Sequence, residues 1–185
     1  MNEKTVLPVK NDYGYYEIRL ESIGGLGANL CGKMLGELGA VYLGLNSASF
    51  SSYGSEKRGS PVKAFIRWCE QDMDLRVNSP IESPHILGLF HEAMAGKLPV
   101  TAGVTEETRV IVNTGASPDE MRERLKLHAG ELTCVDAQKI AMDCKSRVNM
   151  VMLGAVAQLT GDFTAEELVA VSYTHLRAHE TEADL

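Results

Sequence analysis

Along this chain the period of apolar and polar positions changes repeatedly, and each change marks a structural element. Tyr16, Ile18 and Leu20 alternate with Glu17, Arg19 and Glu21, the period of two that a strand presents. Ser22-Ile23-Gly24-Gly25-Leu26-Gly27 then turns the chain, after which Cys31, Met34, Leu35 and Leu38 recur at helical spacing as far as Gly39. The chain thus opens as strand, glycine turn and helix behind a polar lead-in over residues 1–14. Val41 to Leu45 reads as a short apolar strand. The segment from Asn46 to Pro61, with six serines and two glycines, reads as a surface loop. Val62, Ala64, Ile66 and Trp68 alternate with Lys63, Phe65 and Arg67 in a further strand. A polar turn near Gln71-Asp72 is expected to pair it with Leu75-Arg76-Val77 in a hairpin.

In the second half, His85 to Phe90 reads as a buried strand followed by a helix through Met94, and Arg109 to Asn113 as another strand. Ser117-Pro118-Asp119-Glu120 supplies an N-cap serine, a proline at the first helical position and a capping-box glutamate, so a helix is expected to about Leu127. Leu132 to Val135 is a short strand, Ala137 to Cys144 a helix, and Asn149 opens another helix that reaches Leu159 before Thr160-Gly161-Asp162 breaks it. Thr164-Ala165-Glu166-Glu167 is a second capping box, starting a last helix through Leu168 to Val171. Strands alternating with helices predict a three-layer α/β fold with a mixed, mostly parallel sheet.

Composition narrows the function classes. A chain of 185 residues with 44% hydrophobic content is sized for one domain, and a net charge of −7 argues against nucleic acid as a partner. Cys31, Cys69, Cys134 and Cys144 show none of the close spacing that zinc or iron–sulfur ligation uses, so no metal site is expected and the thiols read as free in a reducing cytoplasm. No apolar run has the length of a signal core or a membrane span. His85, His91 and His128 stand apart from one another and from any nucleophile, so no catalytic residue is nominated.

Three motifs carry a resemblance: Ile23-Gly24-Gly25-Leu26-Gly27, then Ser51 to Val62 containing Tyr53-Gly54-Ser55-Glu56-Lys57-Arg58-Gly59, and finally Asn149 to Ala155 with Leu153-Gly154-Ala155. In this order they resemble the gamma subunit family of 2-oxoacid:acceptor (pyruvate/ketoisovalerate:ferredoxin) oxidoreductases over residues 15–171. Ser60 stands where that family more often has a second glycine. The resemblance implies a subunit of a complex that oxidatively decarboxylates a 2-oxoacid with coenzyme A and passes electrons to ferredoxin. It implies no cofactor held by this chain alone, coenzyme A contact within the complex, and thiamine diphosphate and iron–sulfur clusters on partners. Those partners are thiamine-binding alpha and beta subunits and a ferredoxin-like delta subunit. The tail over residues 172–185, beginning Ser172-Tyr173-Thr174-His175, looks like a translated sequencing adapter on a truncated frame. It is set aside together with its His175 and His179 pair, and the natural protein is expected to be longer.

The residues expected to contact cofactor are Gly24, Gly25, Gly27, Ser52, Tyr53, Lys57, Arg58, Gly59 and Asn149. Gly25-Leu26-Gly27 matches only part of a dinucleotide fingerprint, with Leu30 at its third glycine. Asn46 stands where a ribose-binding acid is expected, which disfavours NAD. The turn amides suit a phosphate or carboxylate, or else simply pack helix on strand. Lys57, Arg58 and Lys63 with five hydroxyls suit a diphosphate or an acidic neighbouring chain, against a solvated serine loop. Asn149 serves either as a helix N-cap or as a ligand contact. A non-catalytic structural subunit and, behind it, a stand-alone Rossmann-like nucleotide-binding module are the competing readings.

Overall fold

The structure, a computed structural model, describes residues 7, 9–54, 60–161 and 163–183, with the side chains of residue 174 and of residues 176 onward left out. Six strands form one sheet: β1 (Tyr16–Ile23), β2 (Asn46–Tyr53), β3 (Pro61–Cys69), β4 (Ile86–Leu89), β5 (Arg109–Asn113) and β6 (Glu131–Val135), in the order β2-β3-β1-β4-β5-β6. β1, β4, β5 and β6 run parallel, whereas β3 is antiparallel to both β1 and β2. The helices are α1 (Ala28–Val41), α2 (Pro118–Leu125), α3 (Ala137–Asp143), α4 (Val148–Thr160) and α5 (Ala165–Ala183). The expected α/β class with a mixed sheet is what forms.

Each sheet face carries its own core. On the first face Ile18, Leu20, Ala64, Ile66, Trp68, Ile86 and Ile111 pack with Cys31, Met34, Leu35 and Leu38 of α1 and Met152, Leu153 and Val156 of α4. On the second, Leu87, Leu89, Val110 and Val112 pack against Met121 and Leu125 of α2 and against Met94 and Val100 from the β4–β5 connection. Burying a large aliphatic side chain stabilises by about 1.5–3 kcal/mol, so this alternation along the central strands is what fixes which helices lie where.

The same alternation brings charge inside. Glu17, Arg19, Glu21 and Arg67 share the second face of β1 and β3 and are all buried. Arg19 donates through Nη1 to the carbonyls of Ile81 and Glu82 and through Nη2 to those of Val100 and Ala102. Arg67 pairs with Glu17 and donates to the carbonyls of Val77 and Ser79, while its guanidinium lies over the Phe50 ring at 5.8 Å. The two guanidiniums therefore act as clamps that fasten two irregular connections to the sheet. Glu21 lies 3.2 Å from Arg19 Nε and 3.0 Å from Lys63 Nζ, ion pairs by distance that lack hydrogen-bond alignment at its Oε1. Burial accordingly pushes its carboxyl above the usual value, with Lys63 and Arg19 offsetting only part of the effect.

Several elements differ from expectation. Val41 to Leu45 is no strand: α1 runs through Val41, and Leu45 N closes back on the Gly39 carbonyl at 3.0 Å. Leu43 and Leu45 pack against the core beside the helix end, while Val41 is exposed. The serine-rich segment after it is not a loop but the edge strand β2, and the hairpin partner of β3 is β2 and not residues 75–77. Aliphatic residues are scarce in β2 because α1 comes very close there. A Cβ at Gly36 would meet Ser47 Oγ and Ser49 Cβ at 3.4 Å, and beside them, on β3, one at Gly39 would collide with the Trp68 indole. After β4 only a single 3-10 turn (Glu92–Met94) forms, and α2 stops at Leu125 with Lys126 at φ 51°. Ser117 caps α2 as expected, accepting from Glu120 N at 3.3 Å, and the Thr164/Glu167 box opens α5. That helix continues past Val171 to Ala183, with His175 Nε2 at 2.7 Å from Glu37.

Candidate functional site

The glycine turn joins the C-terminal end of β1 to α1, so it lies where strand ends and a helix start meet. Gly24 and Gly25 are exposed, and Gly25 at φ 100° and Gly27 at φ 76° adopt conformations that side chains disfavour. Gly27 is the N-cap of α1, which leaves that helix with no capping side chain and no acidic residue in its first turn. The amides of the first turn therefore point outward with the positive end of the helix dipole behind them.

A second helix start meets the first. α4 begins at Val148 with Arg147 as its N-cap, again without a side-chain cap or an acidic first turn. Asn149 is consequently not the N-cap expected from the sequence but the second helical residue. Its side chain fills the space that Gly27 leaves: a Cβ at Gly27 would lie 2.7 Å from its Nδ2 and 2.9 Å from its Cγ. Asn149 is 4% exposed, and among the described residues its amide has no hydrogen-bond partner. Neither of its amide atoms is both fully buried and unpaired, so the amide reaches solvent beside the two uncapped helix starts. Arg147 and Lys145 are exposed beside it with no ion pair among the described residues, a cationic helix start that opposes the dipole in the absence of an anion.

The motif beginning at Ser51 reaches the same turn through β2. Tyr53 Oη accepts from Asn29 Nδ2 at 2.7 Å, and Ser51 Oγ donates to Asn29 Oδ1 at 2.7 Å, fastening the end of β2 to the first turn of α1. Gly24 N donates to the Ser60 carbonyl at 3.1 Å, so both ends of the intervening segment are tied to the turn. Tyr53 keeps 61% of its surface exposed.

Residues 17–182 match the family described as pyruvate ferredoxin/flavodoxin oxidoreductase. The chain belongs to that family. It is 37% identical over 147 residues to the pyruvate/ketoisovalerate oxidoreductases common subunit gamma of Pyrococcus abyssi, covering 78% of each chain. To pyruvate synthase subunit PorC of Methanosarcina barkeri it is 32% identical over 154 residues, covering 82% of this chain and 81% of the relative. The crystal structure of pyruvate oxidoreductase subunit PORC from Thermotoga maritima superposes with a TM-score of 0.71 at 28% identity, covering 84% of this chain and 82% of the other. The fold recurs, at 20% identity and a TM-score of 0.64, within 2-oxoglutarate:ferredoxin oxidoreductase from Magnetococcus marinus, solved with 2-oxoglutarate, coenzyme A and succinyl-CoA bound; the match covers 85% of this chain and 26% of that one. Within the family this is a gamma-type chain.

For this oxidoreductase-family chain, the motif residues divide sharply. Gly24, Gly25 and Gly27 form the turn, which Asn149 meets at Gly27 and to which Tyr53 is fastened through Asn29. Ser52 does not join them: strand periodicity turns it to the opposite sheet face from Tyr53, opposite Lys63. Lys63 sits within β3, and its ammonium meets Glu21. Lys57, Arg58 and Gly59 lie outside the described residues. The sequence reading missed Asn29, Lys145 and Arg147. A basic residue at a helix start, against the dipole, was the available signal for Arg147, whereas nothing local distinguishes Asn29.

Proposed function

We propose that this chain is the gamma-type subunit of a 2-oxoacid:ferredoxin oxidoreductase complex, and that the crevice between the starts of α1 and α4 holds phosphate groups of coenzyme A. The observation that carries the contact is Asn149, a largely buried residue whose amide makes no hydrogen bond among the described residues and reaches solvent, set between two helix N-termini that lack caps and acids. Each helix start contributes roughly half a positive charge, and their outward amides can take anionic oxygens without moving. Arg147 and Lys145, with Lys57 and Arg58 of the connecting segment, would neutralise the remaining charge, Gly59 would offer a backbone amide, and Tyr53 would stand at the rim.

The relatives' names support the membership in a complex. Among the described residues no group of three His, Cys, Asp or Glu side chains is placed to hold a metal ion, and burial pushes the Cys31 thiol up, away from the thiolate form. Iron–sulfur clusters and thiamine diphosphate are therefore assigned to the alpha, beta and ferredoxin-like delta partners, with ferredoxin as the electron acceptor. Among the described residues no helix is long and apolar enough to cross a membrane, and all four thiols are free, which favours a cytoplasmic complex. Residues 15–171 are taken as the working domain and the tail from Ser172 as lying outside this function.

Asn149→Leu tested in the complete complex decides the reading. The Michaelis constant for coenzyme A should rise about tenfold, the loss of roughly one hydrogen bond to a charged group, while size-exclusion chromatography shows intact assembly. Unchanged coenzyme A dependence in a complex that falls apart would instead make the crevice a subunit contact.

A further inference from the structure

A cavity of about 280 Å³ opens at the C-terminal ends of β4, β5 and β6. Leu26 of the glycine turn forms one wall and Phe90 its apolar floor. The chain connections diverge at this point: α1 leaves β1 over the first sheet face, whereas the segment after β4 crosses over the second. Such divergence opens a crevice beyond the strand ends, where α/β sheets take their ligands.

The polar groups of the cavity fall into those engaged in the fold and those left free. Asn113 is engaged at both ends, donating to the Phe90 carbonyl at 3.0 Å and accepting from Gln138 N at 3.3 Å. Glu92 shares Oε2 between Thr114 Oγ1 and Arg124, which leaves Oε1. Asp136 accepts from Lys139 N at 2.9 Å through Oδ1, while Oδ2 lies above Gly115, where a Cβ would approach to 3.2 Å. His91 accepts from Ala93 N at 3.1 Å through Nδ1, so its neutral ring carries the proton on Nε2 and offers one donor. Two carboxylate oxygens, the imidazole N–H and the side-chain amide of Gln138 thus remain for a ligand. The two negative charges, with neutral donors beside them, suit adjacent hydroxyl groups and repel phosphate.

Asn46, the neutral residue that disfavoured ribose binding on sequence grounds, begins an antiparallel edge strand and has no bearing on this crevice. The strand lying parallel beside β1 is β4, and the first carboxylate beyond its end is Glu92. We propose that the cavity binds the ribose of a ribonucleoside whose 2′ and 3′ hydroxyls are both free, with Glu92 and Asp136 accepting from the hydroxyls and His91 donating to them. This does not rest on the coenzyme A reading, since coenzyme A carries a 3′-phosphate that these carboxylates exclude.

The test is amide chemical-shift mapping of the full chain titrated with adenosine, 2′-deoxyadenosine and adenosine 3′-monophosphate, with inorganic diphosphate as a separate probe. Adenosine should shift the amides of His91, Gly115 and Gln138, and removal of the 2′ hydroxyl or phosphorylation of the 3′ hydroxyl should weaken binding about tenfold or more. Asp136→Asn, which retains a capping side chain for α3, should weaken adenosine binding to a similar degree and leave diphosphate shifts at Ala28 and Asn149 unchanged. Equal binding of all three nucleosides, or no adenosine shifts at these amides, overturns the proposal. Absence of diphosphate shifts alone counts against the phosphate crevice and leaves the ribose cavity standing.

Discussion

Two polar regions of this molecule, barely more than a strand apart, are built to opposite rules. On the second face of β1 and β3 the buried guanidiniums of Arg19 and Arg67 are matched to backbone carbonyls and carboxylates. At the end of the same β1, Asn149 is as buried as Arg19, each 4% exposed, yet it has no partner among the described residues, and two helix starts beside it lack caps. A buried polar group without a partner costs about 1–3 kcal/mol. In the clamp both Nη atoms of Arg19 are engaged by carbonyls although Arg19 Nε and Glu21 Oε1 make no hydrogen bond, whereas the Asn149 amide makes no hydrogen bond among the described residues and reaches solvent, which is why we propose the second region as the one that takes a ligand.

The comparison is broken most severely by Arg19→Met. Four connection carbonyls lose their donor and Glu21 loses a cation, so urea unfolding should show a loss of about 3–5 kcal/mol. A loss below about 1 kcal/mol would mean that the clamp adds little to stability. Gly27→Ala should cost less, about 1–3 kcal/mol, because alanine pays for left-handed backbone and its Cβ displaces Asn149. Diphosphate binding measured by calorimetry should fall in parallel, and unaltered binding would detach Gly27 from the site.

Asn149→Leu sharpens the contrast from the other side. Since no hydrogen bond among the described residues is lost, unfolding free energy should stay within about 0.5 kcal/mol of the parent or rise. A large loss would reassign Asn149 to structure. The smallest effect concerns His85, whose pKa is lowered chiefly by burial, with Glu17 and Glu107 opposing. A folded pKa below the unfolded value of 6.5 means that the unfolded chain takes up the proton first as pH drops. Its stabilisation is complete above about pH 6.5 and is lost as pH falls towards the lower folded value. Unfolding free energy should therefore decline on acidification from about pH 7 to 5.5, and His85→Gln should flatten that decline.

Local chemistry wrote much of this into the sequence. The alternation in β1 and β3, the glycine turn, the Ser117 cap and the Thr164 box are each fixed by neighbours a few residues away, and all formed as read. The three motifs were legible for the same reason, since each is a short string. What was not legible depended on approach between distant segments. β2 looked like a loop because its serines answer to α1 glycines, and Ser52 looked like a site residue because a string does not show to which face it turns. Arg19 and Arg67 showed in the sequence only as alternating strand positions, because their partners are carbonyls of connections some 10 to 83 residues away. The sequence by itself determined the class of fold, the turn and the family resemblance, since these reside in periodicity and contiguous residues. Only the tertiary structure decided that Asn149 fills the space of Gly27, that the starts of α1 and α4 meet, and that Glu92 rather than Asn46 stands beyond the strand parallel to β1, because each is a juxtaposition made by packing two elements together.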